Sequence, residues 1–263
     1  ARGSTAEVRR LPGGRVLKLF KTRIPAEQVG AEATALARAH AAGLPVPRVH
    51  GRDLYAERPG ITLDELTGAI ALRVMVRRPY ALPGLLARMA ALQVRINALP
   101  GCDLPDQSAG LRAAIEHAEL PADLHVAVTG RLSAADAASA LCHGDFHLGN
   151  LILQAGTLYV LDWDKACRGT PAADAARTAV MLRDGKLGGI ADTALAEPLR
   201  AMLARAYVRA YVRAYRRETG EAGIAGAIAW WLPVATAAKL PFVAPGRRRG
   251  VLKRLARMLA AET

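Results

Sequence analysis

The chain has 263 residues, 52% of them hydrophobic, and a formal net charge of +13. This length and apolar content argue against a disordered protein and allow one substantial core or two modest ones. The three cysteines are odd in number and lack paired metal-ligand spacing, which argues against a disulfide framework and a zinc site and favours a reducing cytoplasm.

The first part of the chain predicts a small α+β unit. Residues 7–11 and 15–20 alternate as two strands around the turn sequence Pro-Gly-Gly at 12–14. Pro25 opens a predicted helix, at a position where a missing N–H costs nothing, and the helix runs to His40.

Small residues, Gly3, Ser4 and Thr5, precede the first predicted strand. Their backbone N–H groups would form a concave anion site over nucleotide phosphates. Lys18 lies inside the second strand, where an unpaired ammonium is costly to bury, and Glu32 on the following helix is its natural partner. Such a pair would point the ammonium at the α- and β-phosphates of a nucleotide. An exposed lysine and an exposed helical glutamate are the alternative.

The boundary between two lobes is predicted near the end of the next strand. Residues 53–58 predict that strand, and Thr62 predicts the N-cap of a chiefly helical remainder. We therefore assign residues 1–58 to a nucleotide-binding N-lobe, 59–62 to a hinge and 63–263 to a mainly helical C-lobe. Because the chain starts directly in a polar turn, the first strand of the N-lobe is expected to be truncated.

The most informative stretch is residues 142–164, which read C-H-G-D-F-H-L-G-N-L-I-L-Q-A-G-T-L-Y-V-L-D-W-D. Its apolar runs at 151–153 and 158–161 predict two short strands joined by a tight turn. The resulting hairpin would carry Asp162 back towards the polar loop that precedes the first of these strands.

That loop contains Asp145 and Asn150. The carboxylate of Asp162 and the side-chain amide of Asn150 offer hard oxygen ligands of the kind that suit Mg²⁺. Asp145 is then free to act as a base. The pattern predicts metal-assisted phosphoryl transfer, and so a kinase.

The C-terminal part of the chain is apolar in one segment and basic in others. Residues 224–238 are too short to span a membrane and contain Pro233, so we predict a buried helix and no membrane span. In the preceding segment, residues of two types recur four apart on opposite helix faces: Arg205, Arg209, Arg213 and Arg217, and Tyr207, Tyr211 and Tyr215. This phase favours a solvated arginine face over packed tyrosines. A second basic cluster, at 247–257, keeps a polyanion-binding protein as an alternative, although no specific nucleic acid is expected.

Taken together, these motifs resemble the aminoglycoside phosphotransferase and choline kinase-like family. H-G-D-F-H-L-G-N at 143–150 is similar to its catalytic loop, and L-D-W-D at 161–164 is similar to its metal-binding segment. G-T-P-A-A-D-A-A-R at 169–177 is similar to its G-x-P-x-x-D-x-A segment. The resemblance runs from Gly3 to roughly Thr178. It implies an α+β, bilobal, protein-kinase-like fold with a small N-lobe of antiparallel sheet and one helix, and a larger, mainly helical C-lobe.

The resemblance also implies ATP, or another nucleoside triphosphate, as phosphate donor and Mg²⁺ as cofactor. Asp145 would accept the proton of the acceptor hydroxyl, Asn150 and Asp162 would hold Mg²⁺, and Lys18 with Glu32 would orient the triphosphate.

Other positions receive weaker assignments from the same resemblance. Glu57 begins a segment similar to the interlobe hinge, where adenine would bind backbone groups. Asp174 looks like the aspartate that supports the catalytic loop from a helix start. For His143 and His147 we favour a loop-stabilising role over direct catalysis. The role of Asp164 stays open between support of the site and contact with the acceptor.

The sequence departs from the family pattern in two places. The phosphate loop lacks a full G-x-G-x-x-G, and the segment 87–99 contains A-L-Q-V-R-I-N-A-L where relatives often carry L-H. The first departure puts the loop geometry in doubt, and the second bears on packing in the acceptor lobe.

The acceptor is expected to be a small hydroxylated molecule, because family likeness fixes the donor half of the chemistry and not the recognition pocket. An aminoglycoside, choline or ethanolamine, homoserine, a thiamine-like alcohol or another sugar all remain open. Six acids of one region offer a possible cationic cleft: Asp103, Asp106, Glu116, Glu119, Asp123 and Asp136. A catalytically inactive nucleotide-binding scaffold is the alternative from another class.

Overall fold

The structure is a computed structural model that describes residues 5–55, 57–135, 138–185 and 196–261. Four strands and one helix form its N-terminal part. They are β1 (Ala6–Leu11), β2 (Arg15–Phe20), α1 (Ala26–Ala41), β3 (Val49–Tyr55) and β4 (Arg58–Asp64). The strands form an antiparallel sheet in the order β1-β2-β4-β3.

The hairpin of β1 and β2 confirms the first predicted turn. Gly13 and Gly14 have φ values of 76° and 67°, which glycine adopts without the steric cost that other residues have. Helix α1 buries a stripe that includes Val29 and Leu36, and Phe20 and Ile61 of the sheet are fully buried in the same core. This packing holds β2 and α1 together, which matters because each contributes a charged residue to the site below.

The predicted hinge at 59–62 is wrong. These residues lie in β4, whose Gly60 and Thr62 pair with β2 on one side and with β3 on the other. Pro59 is tolerated in this strand because it pairs only with Leu54 of β3, so its missing N–H removes no bond to β2. The chain leaves the sheet only after Asp64.

Two further assignments fail with the hinge. Thr62 lies in a strand, so it caps no helix. Glu57 lies in the turn between β3 and β4, with φ 62°, and not in a connection between lobes. The assignment of Glu57 to an adenine-binding hinge is therefore corrected.

The remainder of the chain is chiefly helical, as predicted. Its helices are α2 (Ala71–Arg77), α3 (Leu82–Asn97), α4 (Gln107–Glu116), α5 (Ala122–Ser133), α6 (Pro171–Asp184), α7 (Ala196–Thr219), α8 (Ile224–Lys239) and α9 (Pro245–Ala260). Its short strands are β5 (Ala69–Ile70), β6 (Ala140–Cys142), β7 (Leu151–Gln154), β8 (Thr157–Val160) and β9 (Cys167–Gly169). Single 3-10 turns lie at Pro79–Ala81, Leu148–Asn150 and Leu240–Phe242. The predicted α+β, protein-kinase-like fold class is confirmed.

Helix α7 has the two faces that the sequence predicts. Its four arginines at every fourth position are exposed, whereas Tyr207 and Tyr211 are fully buried. The tyrosine face packs against α3 and α6. This arrangement ties α7 to the helices that support the site.

Helix α8 is the predicted buried helix. Together with the 3-10 turn that follows it, Ile224–Phe242 is the one segment among the described helices long and apolar enough to cross a membrane, and 56% of it is buried. It packs against α4, α5, α6 and α7, with Trp231 and Val234 in the core. This packing is that of a core helix.

Part of the second basic cluster forms ion pairs within the protein. Arg254 and Arg247 both contact the carboxylate of Asp184, whose side chain is fully buried. Arg248 contacts the carboxylate of Glu119 at 3.5 Å. These pairs fix α9 to the end of α6 and to the connection between α4 and α5, and they assign a structural role to three residues of the cluster.

Candidate active site

Residues 143–150 form a loop between β6 and β7. The register of the next hairpin places Leu151 opposite Val160, and the backbone N–H of Leu161 donates to the carbonyl of Asn150 at 2.8 Å. Asp162 follows directly, so the hairpin returns it to Asn150, which confirms the predicted hairpin.

A buried aspartate at the start of α6 hydrogen-bonds to the backbone of this loop. Asp174 accepts hydrogen bonds from the backbone N–H groups of Gly144 at 2.9 Å and His143 at 3.3 Å. It also accepts from Nε2 of Gln93 at 2.8 Å and Nδ2 of Asn97 at 3.1 Å. Each of its two carboxylate oxygens has a partner, as a buried charge requires. The backbone of the loop is therefore held from both α3 and α6.

His143 is buried and bridges the two segments of the site. Its Nε2 donates to the carbonyl of Leu161 at 3.0 Å, and its Nδ1 accepts from the backbone N–H of Asp145 at 3.2 Å. Burial lowers the pKa of His143, which keeps the ring neutral and suits one donor and one acceptor nitrogen. These contacts agree with the loop-stabilising interpretation.

Gly144 allows the loop to touch the segment behind it. Its φ is 74°, and a Cβ atom placed there would lie 2.2 Å from the carbonyl oxygen of Lys165. Any side chain would therefore push the loop away from the segment that carries Asp162 and Asp164.

Asp145 lies at the surface of the loop with its carboxylate one-third exposed. Nδ2 of Asn150 donates to its Oδ2 at 3.0 Å and to its carbonyl at 2.9 Å, and Nε2 of His147 lies 3.5 Å from the same Oδ2. Burial acts to raise the pKa of Asp145, but the neighbouring His147 outweighs it and holds the pKa well below its usual range. Its Oδ1 has no hydrogen bond within the described residues, so it can accept one from a bound hydroxyl.

Lys18 joins the N-terminal sheet to the hairpin. Its Nζ lies 2.7 Å from Oε1 of Glu32, which confirms the predicted pair, and 2.6 Å from Oδ1 of Asp162. Burial acts to lower the pKa of Lys18, but the two carboxylates outweigh it and raise the pKa above its ordinary value. Lys18 is therefore a fixed cation next to Asp162.

The carboxylates around Lys18 exceed its single positive charge. Burial raises the pKa of Glu32 to about 7 although Lys18 opposes this, and Oε2 of Glu32 is buried with no hydrogen bond to any described residue. Burial, followed by the charge of Asp162, raises the pKa of Asp164 to about 6. All these shifts favour retention of protons, as expected for a site that lacks positive charge.

The side chains fit a hard divalent cation. Asp162, with a left-handed φ of 58°, keeps its carboxylate 42% exposed, and its Oδ2 has no hydrogen bond within the described residues. The amide oxygen of Asn150 likewise has no hydrogen bond within the described residues, since both contacts of this side chain with Asp145 are made by its Nδ2. Among the described residues, no group of three or more His, Cys, Asp or Glu side chains is arranged to hold a metal. A metal held here would thus need two protein oxygens and ligands from phosphate or water.

Other predicted phosphate-binding residues are less well placed by the structure. Gly3 and Ser4 lie outside the described residues. Thr5 precedes β1, and its carbonyl accepts from the backbone N–H of Lys21 at 3.0 Å. The anion site at residues 3–5 therefore stays a prediction.

A cleft of about 710 Å³ opens in front of Asp145. The loop contributes Asp145, His147 and Gly149 to its wall, and the segment after α8 contributes Phe242. Lys239, the last residue of α8, also lines it. A cleft of this size suits a small molecule.

Sequence reasoning missed the residues that bind Asp174 from α3. Gln93 Oε1 accepts from the hydroxyl of Tyr207, and Asn97 Oδ1 accepts from the hydroxyl of Tyr211 at 2.8 Å. Gln93 and Asn97 lie four residues apart, on one face of an otherwise apolar helix, where buried amides need partners. That spacing was a usable signal.

Comparisons with known proteins agree with this geometry. The sequence model of the phosphotransferase enzyme family, APH, matches residues 3–221. A search of curated proteins gives no match.

Several solved structures share the fold at low sequence identity. A choline/ethanolamine kinase family protein from Mesorhizobium loti has a TM-score of 0.60 at 19% identity, covering 98% of this chain and 86% of that one. An aminoglycoside-3'-phosphotransferase of type VIII has a TM-score of 0.62 at 19% identity, covering 90% of each chain. An aminoglycoside phosphotransferase from Streptomyces rimosus, in complex with ADP and streptomycin, has a TM-score of 0.56 at 20% identity, covering 90% of this chain and 94% of that one.

Proposed function

Since the chain belongs to the phosphotransferase enzyme family and is a small-molecule kinase, we propose that it transfers the γ-phosphate of ATP, or of another nucleoside triphosphate, to an acceptor hydroxyl. One observation carries the proposal. Three segments of the chain meet here: β2 with Lys18, the loop with Asp145 and Asn150, and the end of the hairpin with Asp162. Lys18 contacts Asp162, Asn150 contacts Asp145, and the backbone hydrogen bond between Leu161 and Asn150 joins the two pairs.

Binding of the phosphate donor is assigned to the part of the site that is rich in carboxylates. Asn150 and Asp162 would hold Mg²⁺, which supplies charge neutralisation on the transferring phosphate when bound. Lys18, held by Glu32, would point its ammonium at the nucleotide phosphates. The ADP in the Streptomyces rimosus structure supports nucleotide use by this fold.

The acceptor half is assigned to Asp145. Asn150 and His147 contact Oδ2 of Asp145, which lines the cleft, so Oδ1 would orient the hydroxyl and take its proton. The lowered pKa of Asp145 keeps its carboxylate ionised and therefore able to accept a proton.

Two alternatives stand beside this proposal. The inactive scaffold has no need for a complete set of Lys18, Glu32, Asp145, Asn150 and Asp162. A choline- or ethanolamine-type kinase shares this donor half and differs only in its acceptor. We place the protein in the cytoplasm, since its three cysteines are free thiols.

Asp145→Asn separates binding from chemistry. The variant should bind nucleotide with Mg²⁺ nearly as well as the original protein, while turnover falls by about two to four orders of magnitude, the usual contribution of a positioned base. ADP release during a screen of hydroxylated acceptors, together with nucleotide titration of both proteins, measures the two effects. Loss of Mg²⁺-nucleotide binding with normal turnover at saturating metal would assign the base to another residue.

A further inference from the structure

The lining of the cleft in front of Asp145 is mainly apolar. Four of the residues that form it belong to the short segment 241–245, which follows α8 and reaches the first residue of α9. Six lining residues have apolar side chains larger than alanine, namely Leu72, Met181, Pro241, Phe242, Val243 and Pro245. The carboxylate of Asp145 therefore lies in a cleft with an apolar wall.

Phe242 adds a large uncovered surface to this wall. Its side chain is exposed, with a relative exposure of 66%. Of the nine large hydrophobic residues that are exposed in the described part of the chain, Phe242 is the one that lines the cleft. An apolar group that covers a phenyl ring removes it from water, which is favourable. The ring is thus a contact surface for an apolar part of a ligand.

The backbone of the same segment has few hydrogen-bond donors for a polyol. Pro241 and Pro245 have no backbone N–H. The backbone N–H of Val243 already donates to the carbonyl of Leu240 at 3.1 Å. A ligand hydroxyl placed against these positions would exchange water for apolar atoms, which costs free energy.

The polar side chains of the cleft already have contacts within the protein. Among the described lining residues they are Asp145, His147 and Lys239, and Asp145 is the only carboxylate. His147 contacts that carboxylate at 3.5 Å and accepts from the backbone N–H of Gly149 at 3.0 Å. Nζ of Lys239 lies 5.5 Å from the centre of the Phe242 ring. A ligand with several ammonium groups, or with many hydroxyls besides the reacting one, would find few partners here.

Resting on the proposed phosphotransferase function, we propose that the acceptor is an alcohol with an apolar body and that Phe242 determines this preference. The reacting hydroxyl meets Asp145, and the hydrocarbon part of the acceptor covers Phe242 and the wall around it. Aminoglycosides, which carry many hydroxyl and ammonium groups, are disfavoured. The choice rests on the match in polarity between this ligand class and the cleft.

The test compares three alcohols: octane-1,8-diol, triethylene glycol and kanamycin. The first two are neutral, have the same terminal hydroxyls and the same number of non-hydrogen atoms, and differ in that two ether oxygens replace two methylene groups. Their dissociation constants are measured by calorimetry with Mg²⁺ and AMP-PNP present. We expect octane-1,8-diol to bind about tenfold or more tightly than triethylene glycol, and kanamycin to bind more weakly than octane-1,8-diol.

Two variants of Phe242 test its role in this preference. Phe242→Ala should reduce the preference for octane-1,8-diol over triethylene glycol to about threefold or less, whereas Phe242→Leu keeps a large apolar side chain and should retain most of it. Because Phe242 is exposed, both variants should fold. The matched control is Tyr80→Ala, which removes an aromatic ring that is 79% exposed and does not line the cleft, and it should leave all three affinities unchanged.

Four results would each overturn the inference. They are equal binding of octane-1,8-diol and triethylene glycol, no binding of octane-1,8-diol, binding of kanamycin as tight as that of octane-1,8-diol or tighter, and a preference in Phe242→Ala that is unchanged or no lower than in Tyr80→Ala. Titration of AMP-PNP in the same samples tests the proposed function separately, because failure of nucleotide binding would count against that function and not against the polarity of the cleft.

Discussion

Two buried polar clusters flank the catalytic loop, and they are built in opposite ways. Asp174 below the loop has four hydrogen-bond donors for its two oxygens. On the other side, Lys18 faces Glu32 and Asp162, and one oxygen of Glu32 has no hydrogen-bond partner in the part of the chain that the structure describes. A cluster whose polar atoms all have hydrogen-bond partners holds its side chains in one arrangement. A cluster with more carboxylates than positive charges can instead bind a cation. The cluster around Asp174 thus supports the loop, and the cluster around Lys18 offers the binding site.

The largest effect on the scaffold should come from Asp174→Asn. The amide group can accept at one position only, so a buried N–H of the loop or of α3 loses its partner, and the free energy of unfolding should fall by about 2–4 kcal/mol. Urea unfolding measures the loss. The control is Asp106→Asn at the exposed N-cap of α4, where asparagine caps equally well and the change should stay within about 0.5 kcal/mol. Equal midpoints for the two variants would show that the Asp174 cluster is no more important than a surface cap.

A smaller effect should follow from a change one step further from the loop. Tyr211→Phe removes the hydroxyl that donates to Asn97 and leaves a buried amide oxygen without its partner. The expected loss is about 1–2 kcal/mol. Tyr215→Phe, on the same helix but half-exposed and bonded to Glu221, should cost less than about 0.5 kcal/mol. If both tyrosine variants unfold alike, the network does not extend to α7.

The smallest effect concerns how the stability of the protein depends on pH through Asp164, in the cluster around Lys18. The pKa of Asp164 in the folded chain is raised to about 6, so the folded state favours the protonated acid. Its contribution to stability is fully present below the ordinary pKa, near 4, and is lost as pH rises through about 6. In EDTA, the melting temperature of Asp164→Asn should lack this decline between pH 4 and 6. Parallel curves for the variant and the original protein would place the charge deficit elsewhere.

The sequence predicted those parts of the molecule that depend on neighbours in the chain. The hairpin that returns Asp162 to Asn150 follows from two apolar runs and a short turn, and the Lys18–Glu32 pair follows from the cost of burying a lone charge. The hinge was misplaced because Thr62 was interpreted as a helix N-cap, whereas it lies with Pro59 and Gly60 in one strand. A strand tolerates proline only where the position of its missing N–H faces no paired strand. Which side of the strand is paired is known only once the order of strands in the sheet is known.

Other features were beyond sequence reasoning because they depend on distant partners. Gln93 and Asn97 bind tyrosines 114 residues further along the chain. The cleft collects Lys239 and Phe242 from the end of α8 next to the loop of Asp145, and nothing in their local sequence marks them as lining a site.

The central claim, that the charge deficit beside Lys18 receives the metal of a metal-nucleotide complex, is tested most directly by thermal shift with ATP in the presence and absence of Mg²⁺. Asp162→Asn is the variant of choice because asparagine tolerates the left-handed backbone at this position. Asp123→Asn, an exposed acid on α5, is the matched control. Asp162→Asn should lose most of the Mg²⁺-dependent stabilisation and keep part of the shift due to nucleotide alone, while Asp123→Asn keeps both. An unchanged Mg²⁺ effect in Asp162→Asn would contradict the claim.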